Sequence, residues 1–179
     1  MDNASNLIRI FNAEIGECQS VCLIGGATEP LYLPVSEHRS VAEIHFREDF
    51  ASSALHELAH WCLAGKKRRE LEDYGYWYES VRDEKQQQKF EAVEAKPQAI
   101  EWVLSIAAGL RFRVSIDNFL IETLDVARFQ RSVQATVLSI LEEGVPMSVN
   151  NLAIALAKGM PHGNLTFTDP ALYRGLPDK

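Results

Sequence analysis

The sequence predicts an α+β protein that is predominantly α-helical, with a small β-sheet packed on the helix that carries its one chemically distinctive motif. Three observations predict it. Apolar residues recur at alternating three- and four-residue steps through most of the chain after residue 83, the mark of buried helix faces. Two short β-prone runs, Val21-Cys22-Leu23-Ile24 and Val41-Ala42-Glu43-Ile44-His45-Phe46, lie before residue 50. Shortly after them, His56-Glu57-Leu58-Ala59-His60 reads H-E-x-x-H inside a stretch without proline or interior glycine.

The chain has 179 residues, 46% hydrophobic and 24% charged, enough for one domain over 1–179 with a real core. A net charge of −7 and an isoelectric point near 5.3 argue against general nucleic-acid binding, which needs Lys and Arg to neutralise phosphates. No apolar run reaches the length of a membrane span, and Met1-Asp2-Asn3-Ala4 lacks the regions of a signal peptide, so a cytoplasmic protein is expected. Cys18, Cys22 and Cys62 are odd in number and form no C-x-x-C, which fits reduced packing thiols.

Residues 5–16 place Leu7, Ile8, Ile10, Phe11 and Ile15 at helical spacings, capped by Ser5 or Asn6. A short buried strand follows at Val21-Cys22-Leu23-Ile24, then a turn at Gly25-Gly26. Two prolines make Glu29-Pro30-Leu31-Tyr32-Leu33-Pro34 a loop with some strand character, suited to a sheet edge. In the second strand Ala42, Ile44 and Phe46 face one side, and Glu43 and His45 the other. The next helix is expected between an Asp49 cap and a Gly65 stop, and it is apolar nearly all round, which marks it as buried. Lys66-Lys67-Arg68-Arg69 then meets the negative end of the helix dipole, either as a solvated exit or as a handle for an acidic partner. The aromatics of Tyr74-Gly75-Tyr76-Trp77-Tyr78 wall a pocket or cap the core.

A long helix spans 83–108 with Phe90, Val93, Pro97, Ile100, Leu104 and Ala107 as its apolar stripe, a kink or restart at Pro97, and Gly109 as its stop. A short mixed stretch covers 114–120. Asp125 caps a helix to residue 143, with Val126, Phe129, Val133, Val137, Ile140 and Leu141 on its core face; Gly144 and Pro146 stop it. A last helix covers 151–158, and residues 160–179 form an irregular packed arm.

On a helix, residues four apart lie one above the other, so His56 and His60 can converge on one metal ion while Glu57 points about 100° away. The third ligand should come from helix 83–108, and the candidates are Glu91, Glu94 and Glu101. Measured from the apolar stripe, Glu101 lies about 70° and Glu94 about 90° from its centre, whereas Glu91 lies about 150° away on the side expected to face solvent. Glu94 and Glu101 are about 10 Å apart along the axis, so one ion takes only one of them. Glu94 is chosen because it just precedes Pro97, where a kink can turn a side chain inward. Such a site leaves coordination positions open. With zinc, Glu57 activates water as in a small metallopeptidase, whose substrate would need an edge strand such as Val41-Ala42-Glu43-Ile44-His45-Phe46. With ferrous iron the same ligand set supports hydroxylation by dioxygen. A third class is a non-catalytic binding domain held by a structural metal, which normally takes four protein ligands.

Several separated stretches occur in a recognisable order: Glu29-Pro30-Leu31-Tyr32-Leu33-Pro34; Ser53-Ala54-Leu55-His56-Glu57-Leu58-Ala59-His60-Trp61-Cys62-Leu63-Ala64-Gly65-Lys66; Gly75-Tyr76-Trp77-Tyr78; Phe90-Glu91-Ala92-Val93-Glu94-Ala95-Lys96-Pro97-Gln98-Ala99; and Ala107-Ala108-Gly109 with Val114-Ser115-Ile116-Asp117-Asn118. This set resembles the bacterial elongation factor P hydroxylase family over most of the first 120 residues and then fades. The resemblance implies an iron-dependent hydroxylase with a zincin-like helical site, unrelated to the double-stranded β-helix oxygenases, and with dioxygen as co-substrate. It implies as substrate a lysine of elongation factor P already extended by β-lysylation; the acidic charge and the lack of an apolar span predict neither nucleic acid nor membrane as partner. The metal ligands would fall on His56, His60 and a glutamate of the 90–99 segment, Glu94 or Glu91. Glu57 would be catalytic, ordering water or dioxygen or holding the hydrogen bonds around the metal. The basic run 66–69 would meet the acidic translation factor.

Overall fold

The structure, a computed structural model, describes residues 2–72, 84–115 and 126–175. Asp2 Oδ1 accepts from the Ser5 N–H at 2.7 Å and caps helix α1 (Asn3–Phe11), ahead of the predicted Ser5 or Asn6 start. The helix widens into a π-turn (Asn12–Gly16) and one further turn, α2 (Glu17–Gln19). Asn12 then reaches strand β1 (Val21–Ala27): its Oδ1 accepts from the Leu23 N–H at 2.7 Å and its Nδ2 donates to the Leu23 carbonyl at 3.2 Å. The side-chain amide stands in for a neighbouring strand at that sheet edge.

Strands β2 (Leu31–Leu33) and β3 (Ala42–Arg47) complete a sheet of order β1-β3-β2, with β1 parallel and β2 antiparallel to β3. Gly25-Gly26 is not the predicted turn but lies inside β1, where the register with β3 shifts between Ile24 and Ala27. A Cβ on Gly25 would lie 2.8 Å from Asp49 Oδ1 and 2.9 Å from the Phe46 ring, and Gly26 has φ +83, so the bulge requires both glycines. Strand β3 is central and paired on both sides, which removes it as the free edge proposed for a peptide; β2, flanked by Pro30 and Pro34, is an edge.

Helix α3 (Ala51–Leu63) starts from Phe50, not Asp49, and ends at Ala64, before Gly65. Side chains satisfy its last carbonyls: Arg69 Nη2 donates to Trp61 O at 2.8 Å and Ser148 Oγ to Cys62 O at 3.2 Å. The alternation in β3 buries Ala42, Ile44 and Phe46, as its pattern predicts, and α3 packs on this strand. Leu7, Ile10 and Phe11 of α1 close the same core, with the Phe11 ring edge-on to Trp61 at 5.5 Å. Cys62 is the one cysteine buried there; Cys18 is exposed and Cys22 half-buried.

Helix α4 (Glu84–Ala108) passes Pro97 without a break and packs against α3, α5 (Val126–Glu143) and α6 (Met147–Gly159). With helices on three sides it buries polar residues as well as apolar ones. Gln87, Glu91, Glu94, Gln98, Glu101 and Ser105 are all buried, at alternating four- and three-residue steps. Helix α5 buries Phe129, Val133, Val137 and Ile140, as predicted, while α6 begins a turn earlier than its apolar pattern suggests, straight after Pro146. The tail from Met160 is irregular and packed: Phe167 and Tyr173 are buried, and the Trp102 ring stacks on Phe112 and meets Tyr173 edge-on. The expectations for the 74–78 aromatics, for residues 116–120 and for an Asp125 cap fall outside the described residues. No described helix is long and apolar enough to cross a membrane.

Candidate metal centre

The two histidines reach one point because α3 is helical without interruption from residue 51 to 63, so His56 and His60 stack on the face turned to α4. Their Nε2 atoms lie 3.0 Å apart. Glu94 on α4 brings its Oε2 to 3.6 Å from each of them. These three atoms form a triangle whose corners all lie about 2 Å from its centre, which matches the bond lengths of 2.0–2.2 Å that imidazole and carboxylate make to a divalent transition metal. Two neutral imidazoles and one buried carboxylate, Glu94 at 4% exposure, suit such an ion.

Glu101, two turns along α4, is also at the site but in a different role. Its Oε2 is 2.8 Å from His56 Nδ1. A proton held at Nδ1 by this bond leaves the Nε2 lone pair facing His60 and Glu94, which is the tautomer a metal requires. Glu101→Gln keeps an acceptor of the same size but removes the charge. Its metal affinity is expected to fall about 10–100-fold in a calorimetric titration, with activity recovered at saturating metal. Unchanged affinity would reduce Glu101 to a space-filling residue.

The polar stripe of α4 explains why Glu91 stands apart. Glu94 and Glu101 lie on its α3 edge, whereas Glu91 lies roughly 60–80° further round. The sequence places Glu91 toward solvent; instead it is buried, because α5 covers that side. Arg128 Nη2 donates to its Oε2 at 2.7 Å and Gln87 Nε2 to its Oε1 at 3.2 Å. Gln98, between the two edges, pairs with both the N–H and the carbonyl of Ser115.

Enclosure by the protein pushes the His56 imidazolium down, but the Glu101 hydrogen bond and the charges of Glu101, Glu57 and Glu94 outweigh it and raise the pKa to about 10. Burial raises the Glu57 carboxyl, against the two histidines, which lower it, and with Glu94 and Glu101, which raise it. His45, the other histidine considered, lies 2.8 Å from Glu43 on the sheet and is not part of the cluster.

Glu57 and His60 open onto a pocket of about 420 Å³. Tyr32, Ile44, Leu63 and Pro97 line it, together with Val93, which is 38% exposed here although the apolar stripe predicts it in the core. Arg68, Arg69 and Lys96 line it too. The basic run was legible, but the folding of Arg69 back over α3 was not. Its guanidinium lies 3.9 Å from the centre of the Trp61 ring, and its backbone carbonyl accepts from Tyr32 Oη at 2.9 Å.

A helix-borne histidine pair, a carboxylate from the neighbouring helix and an adjoining pocket define a candidate metalloenzyme of the two-histidine, one-carboxylate class. The family described as elongation factor P hydroxylase matches residues 10–168, well past residue 120, where the sequence resemblance fades. A Haemophilus influenzae protein named elongation factor P lysine hydroxylase is 45% identical over 152 residues, covering 84% of this chain and 85% of that protein. The chain belongs to the elongation factor P hydroxylase family.

Proposed function

We propose that this chain is a cytoplasmic iron-dependent hydroxylase that adds one oxygen to the β-lysylated lysine of elongation factor P, with His56, His60 and Glu94 as the metal ligands. The observation that carries the reading is the convergence of these three ligand atoms beside a pocket, in a chain whose relative is named elongation factor P lysine hydroxylase. We read the core as zincin-like: a mixed sheet beside an H-E-x-x-H helix, with the third ligand from a later helix. Held by His56, His60 and Glu94, ferrous iron would supply the chemistry that activates dioxygen. Glu101 holds the His56 proton at Nδ1. The Glu57 carboxyl, on the pocket wall, holds or releases a proton beside the reacting carbon. Tyr32, Ile44, Leu63 and Pro97 exclude water and receive the aliphatic part of the lysine.

The peptidase alternative loses its proposed edge strand, since β3 is paired on both sides. A structural metal is disfavoured because the cluster among the described residues offers three ligands, not four.

The reading is tested by the intact mass of β-lysylated elongation factor P after incubation with this protein, ferrous iron, air and excess ascorbate, which supplies the two electrons that reduce the second oxygen atom to water, beside a His56→Ala control. One added oxygen on the modified lysine, absent with the control, is expected; an unchanged mass in both would reject the hydroxylase.

Metal binding should also release a proton. The His56 pKa of about 10 lies above its ordinary 6.5, so in the metal-free protein the imidazolium contributes stability that is fully present below pH 6.5 and lost as pH rises through about 10. A metal must displace that proton, and its affinity should weaken about tenfold for each unit the pH is lowered below 10. Calorimetry in two buffers of different ionisation enthalpy would count the proton, and equal heats in both would contradict the assignment.

A further inference from the structure

The pocket beside the triad has a charge balance that suits neither the proposed substrate alone nor an idle surface. Among the described lining residues the cations Arg69 and Lys96 face one carboxylate, Glu57, and Arg68, which has an interaction of its own, stands at the same wall. A lysine side chain and its amino-acyl extension carry positive charge. An ammonium close to a like charge is disfavoured near a protein surface.

Arg69 is built in rather than loosely tethered. Its planar face lies on Trp61, Nη2 donates to the Trp61 carbonyl, and Tyr32 Oη holds its backbone oxygen. Capping α3 in this way occupies a single N–H of the guanidinium. Nη1 makes no hydrogen bond among the described residues, and no described carboxylate pairs with Arg69 or with the exposed Lys96. A pre-oriented guanidinium with donors to spare, in the lining of a cavity that a second cation also lines, is an arrangement that recognises a carboxylate.

We propose that Arg69 and Lys96 form a carboxylate-binding subsite in this pocket, which takes an organic acid alongside the cationic substrate. The acid is either a small molecule or an acidic side chain of the protein partner, since both present the same group. The subsite deepens the hydroxylase reading, because it supplies the counter-charge that reading needs. Its test is nevertheless independent, because binding is measured on the full chain without turnover.

The chain is titrated calorimetrically with sodium succinate at constant ionic strength, with uncharged succinamide as the matched control, and separately with a short peptide bearing Asp and Glu side chains. Saturable binding of succinate, none of succinamide, and a weakening of about tenfold or more in both Arg69→Lys and Lys96→Gln are expected. Arg69→Lys keeps the charge and removes the fork. Should it fail to fold, Lys96→Gln alters only an exposed side chain and carries the test alone. Variant-sensitive binding of the peptide but not of succinate supports the subsite and assigns the acid to the protein partner. No saturable binding of either probe, or binding that the variants leave unchanged, overturns the proposal.

Discussion

Glu94→Gln is expected to abolish oxygen addition to elongation factor P and to lower metal affinity by about a hundredfold or more, roughly 3 kcal/mol. Glutamine fills the same volume at this 4% exposed position, so packing is retained. What is lost is the anionic oxygen that lies 3.6 Å from both histidine nitrogens. The same change at Glu91 should act differently. There it breaks a charge pair with Arg128, whose side chain is 48% exposed, so the stability loss is modest, about 1 kcal/mol, and metal content is unchanged. Metal content after dialysis, measured beside product mass, separates the two. A Glu91 variant that loses metal while the Glu94 variant keeps it would reverse the ligand assignment.

Gly109→Ala is expected to destabilise the fold by about 3 kcal/mol, which for a chain of this size lowers the melting midpoint by roughly 6–12 °C. Gly109 ends α4 with φ +69, a conformation that costs an L-residue about 1 kcal/mol. Space is the larger obstacle: a Cβ there would lie 1.9 Å from the His162 carbonyl oxygen and 2.5 Å from its carbon. Both are backbone atoms and cannot rotate aside. The 160–164 turn is also tied to the end of α4 by the Asn164 N–H, which donates to Ala107 O at 2.9 Å. Gly144→Ala is the control, because φ is +99 there but nothing lies within 4 Å of the added carbon. It should lose only about 1 kcal/mol. Equal shifts at the two positions in a thermal melt would remove the steric explanation.

The helical segments, the strand at residues 42–46 and the shared face of His56 and His60 on α3 were legible because each rests on local periodicity. An i, i+4 histidine pair shares a face in any helix, and alternation along a strand needs only its own residues. The wheel alone left Glu94 and Glu101 close together, and the choice of Glu94 rested on a break or kink at Pro97, through which α4 runs as one helix; Gly109 was legible as a helix stop. The Gly25-Gly26 turn was misread because a bulge and a turn demand the same freedom from glycine, and only the approach of Phe46 and Asp49 distinguishes them. The solvent side assigned to Glu91 failed for a related reason. A wheel gives directions around one helix but not what stands in them, and α5 stands there.

The stripe Gln87, Glu91, Glu94, Gln98, Glu101, Ser105 was visible as a heptad-like spacing of polar residues, the one signal that marked α4 as buried on more than its apolar face. By itself the sequence determined which side chains could bind a metal, since helix geometry sets their mutual direction within a few residues. Only the tertiary structure decided that Glu101 orients His56, that Arg128 claims Glu91 and that Arg69 folds over Trp61 into the pocket wall. Those partners lie 8 to 45 residues apart along the chain. They meet because hydrophobic burial packs the helices that carry them, and no local pattern encodes that meeting.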